Sequence, residues 1–118
     1  MKLKEGMYVR TKKGIGRVTE YTKHESWGYI VKVLGQYSCH THTSNGELSD
    51  VIKAGDNLID LIEVGDYVNN LVVTRICVDE ETEKKYLNLY GSLSEWENED
   101  IESIVTKEMF NSVKYEVK

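Results

Sequence analysis

Residues 27–33, WGYIVKV, alternate strictly: Trp27, Tyr29, Val31 and Val33 fall on one side, Gly28, Ile30 and Lys32 on the other. A period of two predicts a half-buried strand. Three other segments read the same way. GIGRVTEY (Gly14 to Tyr21) and LVVTRICV (Leu71 to Val78) carry the β-branched residues that suit a pleated surface, and YLNLY sets Leu87 and Leu89 opposite Tyr86, Asn88 and Tyr90. Turns are expected at Lys12-Lys13-Gly14, Asn45-Gly46, Asn69-Asn70 and Asp79 to Lys85. Asn-Gly is the strongest short hairpin signal, so Asn45-Gly46 is expected to join two strands. Helical spacing is scarce. Leu58, Leu61 and Ile62 allow one or two turns within Asn57 to Ile62, and Thr106 is placed to cap a short helix holding Lys107, Glu108, Met109 and Phe110. Tyr115 and Val117 read as a last short strand.

The elements recur in the same order. Gly6, Tyr8 and Val9 of EGMYVR match Gly65, Tyr67 and Val68 of VGDYVN, 59 residues later. A polar turn and a β-patterned run follow each Tyr-Val pair. Each half then closes with an acidic residue before Val or Ile, at Ser49-Asp50-Val51-Ile52 and at Glu99-Asp100-Ile101. Tyr8 to Asp50 spans 42 residues and Tyr67 to Asp100 spans 33, so the second half has shorter loops. The pattern predicts two diverged copies of one small unit, residues 1–60 and 61–118. Leu58 to Val68 is largely apolar and no linker marks the midpoint, so the two are expected to pack together. Units of about 60 residues fold only marginally alone, which favours the same arrangement.

Charge separates the halves. Residues 1–60 hold nine Lys/Arg and seven Asp/Glu, a balance of +2, whereas residues 61–118 hold six and thirteen, a balance of −7. Over all 118 residues, 40% hydrophobic and 30% charged content is compatible with a folded core. MKLKEGMYVR carries no apolar run of signal-peptide length, and no segment approaches the roughly 20 apolar residues of a membrane span, so a cytoplasmic protein without membrane contact is expected. Cys39 and Cys77 are too few for a disulfide scaffold and read as reduced thiols.

Gly6-Met7-Tyr8-Val9 and Gly65-Asp66-Tyr67-Val68 resemble the opening strands of small Tudor/KOW-type barrels, which share the Src-homology-3-like architecture. The resemblance implies a barrel opened by a G-x-x-V strand, with a one-turn helix before the final strand. Asn57 to Ile62 and Thr106 to Asn111 would fill that role. The expected fold is therefore mainly β: two tandem, packed, small β-barrel-like repeats with one or two short helical turns. NLIDLIEVGDYVN and EDIESIVTKEMF resemble small proteins of bacteriophages and prophages in low-GC Gram-positive bacteria. That resemblance implies a phage-borne accessory protein acting in the host cytoplasm, and it carries over no activity and no site residue.

Catalytic and metal chemistry find little support. Cys39, His24 and Asp50 supply a nucleophile, a base and an orienting group, but nothing in their spacing joins them. There is no G-x-S-x-G elbow and no phosphate-cradling loop ending in Gly-Lys-Ser/Thr, and Gly14-Ile15-Gly16 lies between strands rather than before a helix. His40 and His42 alternate onto one side of a strand, yet neither His24 nor Cys77 completes the paired spacing of structural zinc. No enzyme, metal or cofactor is expected.

Two surfaces remain. Asp79, Glu80, Glu81 and Glu83 fall in one expected hairpin loop, and Glu95, Glu97, Glu99, Asp100 and Glu102 follow, with Trp96 in their midst. Carboxylates so concentrated steer toward a basic groove, and an aromatic among them suits either an interface anchor or a side chain folded back into the core. The leading expectation is a non-catalytic module of phage type. It would bind a host protein with a basic groove, such as a nuclease or RNA-guided effector, and inhibit it in an anti-CRISPR-like manner. The first alternative is a nucleic-acid-binding barrel, using Arg10, Lys12, Lys13 and Arg17 around the first turn with Tyr8, Tyr21, Trp27 and Tyr29 as stacking faces. The acidic overall balance weighs against it. An oligomeric virion or tail component is the other alternative.

Overall fold

A computed structural model describes residues 3–113 and divides the chain into two units at Asn57 and Leu58. With that boundary Asp60 belongs to the second unit, and the balances become +3 and −8. Both units are antiparallel sheets, of five and four strands, and neither sheet closes into a barrel. The expected strand at Tyr115 and Val117 lies outside the described residues.

In the first unit, β1 (Tyr8–Thr11), β2 (Gly14–His24), β3 (Gly28–Gly35) and β4 (Cys39–Thr43) form a meander, and β5 (Lys53–Gly55) returns to the free edge of β1. The period of two is the reason. Val31 and Val33 are fully buried on β3, Val18 on β2 and Val9 on β1, and with Leu3 and Tyr37 they make the core. Fully burying an aliphatic side chain stabilises by about 1.5–3 kcal/mol, so this handful of residues carries much of the unit. The turn expected at Lys12-Lys13-Gly14 is present between β1 and β2, and the Thr11 hydroxyl both donates to Gly14 O (3.1 Å) and accepts from Lys13 N–H (3.0 Å).

Two expectations are corrected here. Trp27 does not continue the inward series of Tyr29, Val31 and Val33. It lies in the turn before β3, is 61% exposed, and stacks on His24 with ring centroids 4.7 Å apart. Asn45-Gly46 does not close a two-residue hairpin. Asn45 Oδ1 accepts Glu47 N–H (3.0 Å), and Gly46 N–H donates to Thr43 Oγ1 (2.6 Å), so the pair bends a longer loop. The strand that follows pairs with β1 instead of β4, because Lys53, Ala54 and Gly55 register against Arg10, Val9 and Tyr8.

In the second unit, a 3-10 turn (Leu58–Leu61) precedes β6 (Tyr67–Val68), β7 (Leu71–Val78), β8 (Lys85–Leu89), a second 3-10 turn (Asn98–Asp100), β9 (Ile104–Val105) and helix α1 (Lys107–Val113). The sheet order is β8-β7-β6-β9. Leu61, Val68, Val73, Leu87 and Leu89 are buried. Asn69 and Asn70 make the β6–β7 turn with φ of 50° and 70°, the left-handed pair a two-residue hairpin requires. Thr106 Oγ1 accepts Met109 N–H (3.3 Å), capping α1 as expected. The Asp66 carboxylate is buried and accepts backbone N–H groups of Glu63 (2.8 Å) and Lys107 (2.9 Å), tying β6 to both flanking segments.

The units repeat one another bond by bond. Gly6 and Gly65 share a left-handed φ of 92° and 99°, which only glycine adopts without strain. Gly6 N–H donates to Val18 O and Val18 N–H to Met7 O, both at 2.8 Å. Likewise Gly65 N–H donates to Val73 O (3.0 Å) and Val73 N–H to Asp66 O (2.7 Å). Each of these valines opens an irregularity in register, between Val18 and Glu20 and between Val73 and Arg75. The threonine inside each irregularity bonds across to the neighbouring strand, Thr19 to Lys32 O (3.4 Å) and Thr74 to Asn88 O (3.1 Å). Strand by strand, β6, β7, β8 and β9 correspond to β1, β2, β3 and β5. The place of β4 is held by Trp96, which forms an isolated bridge to Leu87.

Candidate protein-binding surface

The β7–β8 loop is organised by its first acid. Asp79 Oδ1 accepts Glu81 N–H (2.8 Å) and Thr82 N–H (3.2 Å), and these backbone donors hold the Asp79 carboxyl below its ordinary value. Glu83 N–H donates to Asp79 O (2.8 Å), and Glu83 takes a left-handed φ of 60°. Asp79 thus shapes the loop, while Glu80, Glu81 and Glu83 stand exposed around it.

The second acidic run is fixed through Trp96. Its backbone exchanges two hydrogen bonds with Leu87 (2.7 and 3.0 Å), its indole Nε1–H donates to Ser92 Oγ (3.0 Å), and the residue is half-buried. Trp96 therefore serves as a pillar of the sheet edge, in contrast to the exposed anchor suggested by its neighbours in sequence. Antiparallel pairing sends Glu97 toward the Lys85 end of β8, the end from which loop 79–84 projects. Glu97 is thereby directed toward the end of β8 that carries the first acidic segment, whereas Asp100 is held at the β6–β7 turn by Asn69. Asp100 Oδ2 accepts Glu97 N–H (2.9 Å) and shapes the 3-10 turn, and Glu95, Glu97, Glu99 and Asp100 are all exposed.

Lys84 is exposed within the loop itself, while two other cations of the unit are paired to acids outside the two runs. Lys85 Nζ lies 3.0 Å from Asp60 Oδ1, and Lys107 Nζ lies 2.8 Å from Glu63 Oε1. The bond to Glu63 holds the Lys107 ammonium above its ordinary value. Asn69 sets the path of the chain after the acidic run. Its Oδ1 accepts Glu102 N–H (2.8 Å) and Ser103 N–H (3.0 Å), and its Nδ2 donates to Asp100 O (2.8 Å).

The basic candidates do not form one surface. Arg10 is fully buried on β1, which has β2 on one edge and β5 on the other. Lys12 and Lys13 are exposed and border an open cleft of about 330 Å³ that also touches Tyr37 and Asp50. Arg17 lies over the Tyr8 ring at 5.4 Å and donates from Nε to Gly6 O (3.4 Å). Tyr21 and Tyr29 face each other at 5.2 Å and are half-buried, so of the four expected stacking residues only Trp27 is widely exposed.

Both cysteines are free thiols. Among the described residues, no three His, Cys, Asp or Glu side chains gather as a metal site, and no helix is long and apolar enough to cross a membrane. Sequence reasoning missed the long-range bonds of Asp66 to Lys107 and of Asn69 to Glu102 and Ser103, and two exposed apolar side chains, Tyr90 (71%) and Leu93 (106%). Neither a family model, nor a curated protein, nor a solved structure matches the chain.

Proposed function

We propose that the chain is a non-catalytic protein-binding module built from two diverged copies of one small antiparallel-sheet unit, the second of which carries the binding surface. The duplication is supported by three hydrogen bonds, one register irregularity and a common sheet order that recur in both halves. The binding reading rests on one observation above all. The glutamates of loop 79–84 and of residues 95–99 are exposed, the Trp96–Leu87 bridge directs Glu97 toward the end of β8 from which the loop projects, and Lys85 and Lys107 are paired to other acids.

Such a surface steers toward cations, and a groove that handles phosphate chains offers them in a row. The proposed partner is a nucleic-acid-processing or defence protein of the host, held in its basic groove, with the module acting as a phage-borne inhibitor. Reversing Glu80, Glu81, Glu97 and Glu99 to Lys tests this. Partner binding should collapse while the circular-dichroism spectrum stays that of a β protein. Unchanged binding by a folded reversal variant refutes the reading. With Arg10 buried and Arg17 engaged, the nucleic-acid alternative retains chiefly Lys12 and Lys13.

A further inference from the structure

The connector from β8 to Trp96 is short, and backbone and side-chain bonds pin it along its length. Tyr90 N–H donates to Val72 O (2.8 Å), Ser92 N–H to Leu89 O (3.1 Å) and Ser94 N–H to Ser92 Oγ (3.3 Å), while the Trp96 indole grips the same Ser92 hydroxyl. A loop so held has little freedom to fold its side chains inward. It nevertheless presents Leu93 at 106% and Tyr90 at 71% exposure, immediately before Glu95. A scattered apolar side chain on a surface is ordinary. Two large ones on a single pre-organised loop, at the border of an acidic surface, are the layout of an interface whose ordering cost has already been met by the fold.

We propose that Tyr90 and Leu93 are the apolar anchors of the acidic surface. They would seat in an apolar pocket, edged by Lys or Arg, on the protein partner. The carboxylates then govern the rate of encounter and the anchors govern dissociation. This inference rests on the protein-binding reading above and adds the chemistry of the partner's site: apolar at the centre, cationic at the rim.

The test uses two immobilised synthetic peptides of equal positive charge, one alternating Leu and Lys, the other lysine and serine only. They are titrated with the full chain, with a Tyr90→Ser, Leu93→Ser double variant, and with the Glu80, Glu81, Glu97, Glu99 to Lys variant. Both anchor positions are surface-exposed, so the double variant should keep its fold, and Trp96 fluorescence checks that it does. The full chain should hold the Leu/Lys peptide about tenfold more tightly than the Lys/Ser peptide, the scale of a modest hot spot. The double variant should erase that preference, through faster dissociation, and leave Lys/Ser binding unchanged. Charge reversal should abolish binding to both. A double variant that retains the preference overturns the anchor assignment alone. Failure of the full chain to bind either peptide overturns the acidic-surface reading, and the anchors with it.

Discussion

Asn69 clamps the chain after the acidic run to the β6–β7 turn through three side-chain hydrogen bonds. Replacing it with Ala removes an acceptor for Glu102 N–H and Ser103 N–H and a donor to Asp100 O. These bonds are partly exposed, so each contributes about 0.5–1 kcal/mol. Asn69 also holds a φ of 50°, where Ala costs roughly 1 kcal/mol more than a residue at ease there. The expected destabilisation of Asn69→Ala is therefore about 2.5–4 kcal/mol. Asn69→Gly loses the bonds but avoids the strain, and should fall about 1 kcal/mol short of the Ala variant. Asn69→Asp keeps the acceptor oxygens and should cost the least of the three. The chain has two tryptophans, Trp27 in the first unit and Trp96 in the second, so urea unfolding in a Trp27→Phe background isolates the relevant signal. A ranking other than Ala, Gly, Asp in order of decreasing damage, or an Ala variant as stable as the parent, would show that the clamp is not the source of stability.

The first unit offers a counterpart. A Cβ at Gly16 would lie 2.5 Å from Tyr37 O and from Val33 Cγ1, so Gly16→Ala should destabilise by about 2–3 kcal/mol in urea unfolding followed by Trp27 in a Trp96→Phe background. Burial, the contact with Cys39 and the Asp50 charge push the Tyr37 hydroxyl above the ordinary tyrosine value of 10.0. A raised pKa binds the proton more tightly in the folded chain, so this stability is complete below about pH 10 and drains away as pH rises beyond it. Alkaline unfolding should be shallower in Tyr37→Phe than in the parent, provided both fold at neutral pH. Asp79 has the opposite sign. Its depressed carboxyl orders loop 79–84 above its ordinary value of 3.8 and releases it as pH falls through the lowered one. Asp79→Ala should accordingly speed amide exchange at Glu81 and Thr82 already at neutral pH.

The strands were legible because their burial obeys a local period: Val31 and Val33, and Leu87 and Leu89, are buried where alternation places them. The cap at Thr106 and the Asn69-Asn70 turn were legible for the same local reason, since each needs only neighbours within a few residues. What failed depended on distant pairing. Asn45-Gly46 carries a hairpin signal, but the strand after it is claimed by β1. Arg10 looked like part of a basic surface until β5 completed the sheet around it. Trp96 stayed open between an anchor and a core-facing side chain because nothing in its neighbourhood reveals that Leu87 is its partner. The acidic segments were visible as composition, whereas the direction Glu97 takes along β8 is a consequence of that same bridge.

The central claim is that the exposed carboxylates of the second unit bind a cationic site on a host protein. The most direct measurement is quantitative mass spectrometry of proteins retained from a low-GC Gram-positive lysate. It compares the full chain with the variant carrying Lys at 80, 81, 97 and 99, at low and at high salt. A nucleic-acid-processing or defence protein should be retained by the full chain at low salt and lost both on charge reversal and at high salt. Equal retention of the same proteins by the two chains, at either salt concentration, would contradict it.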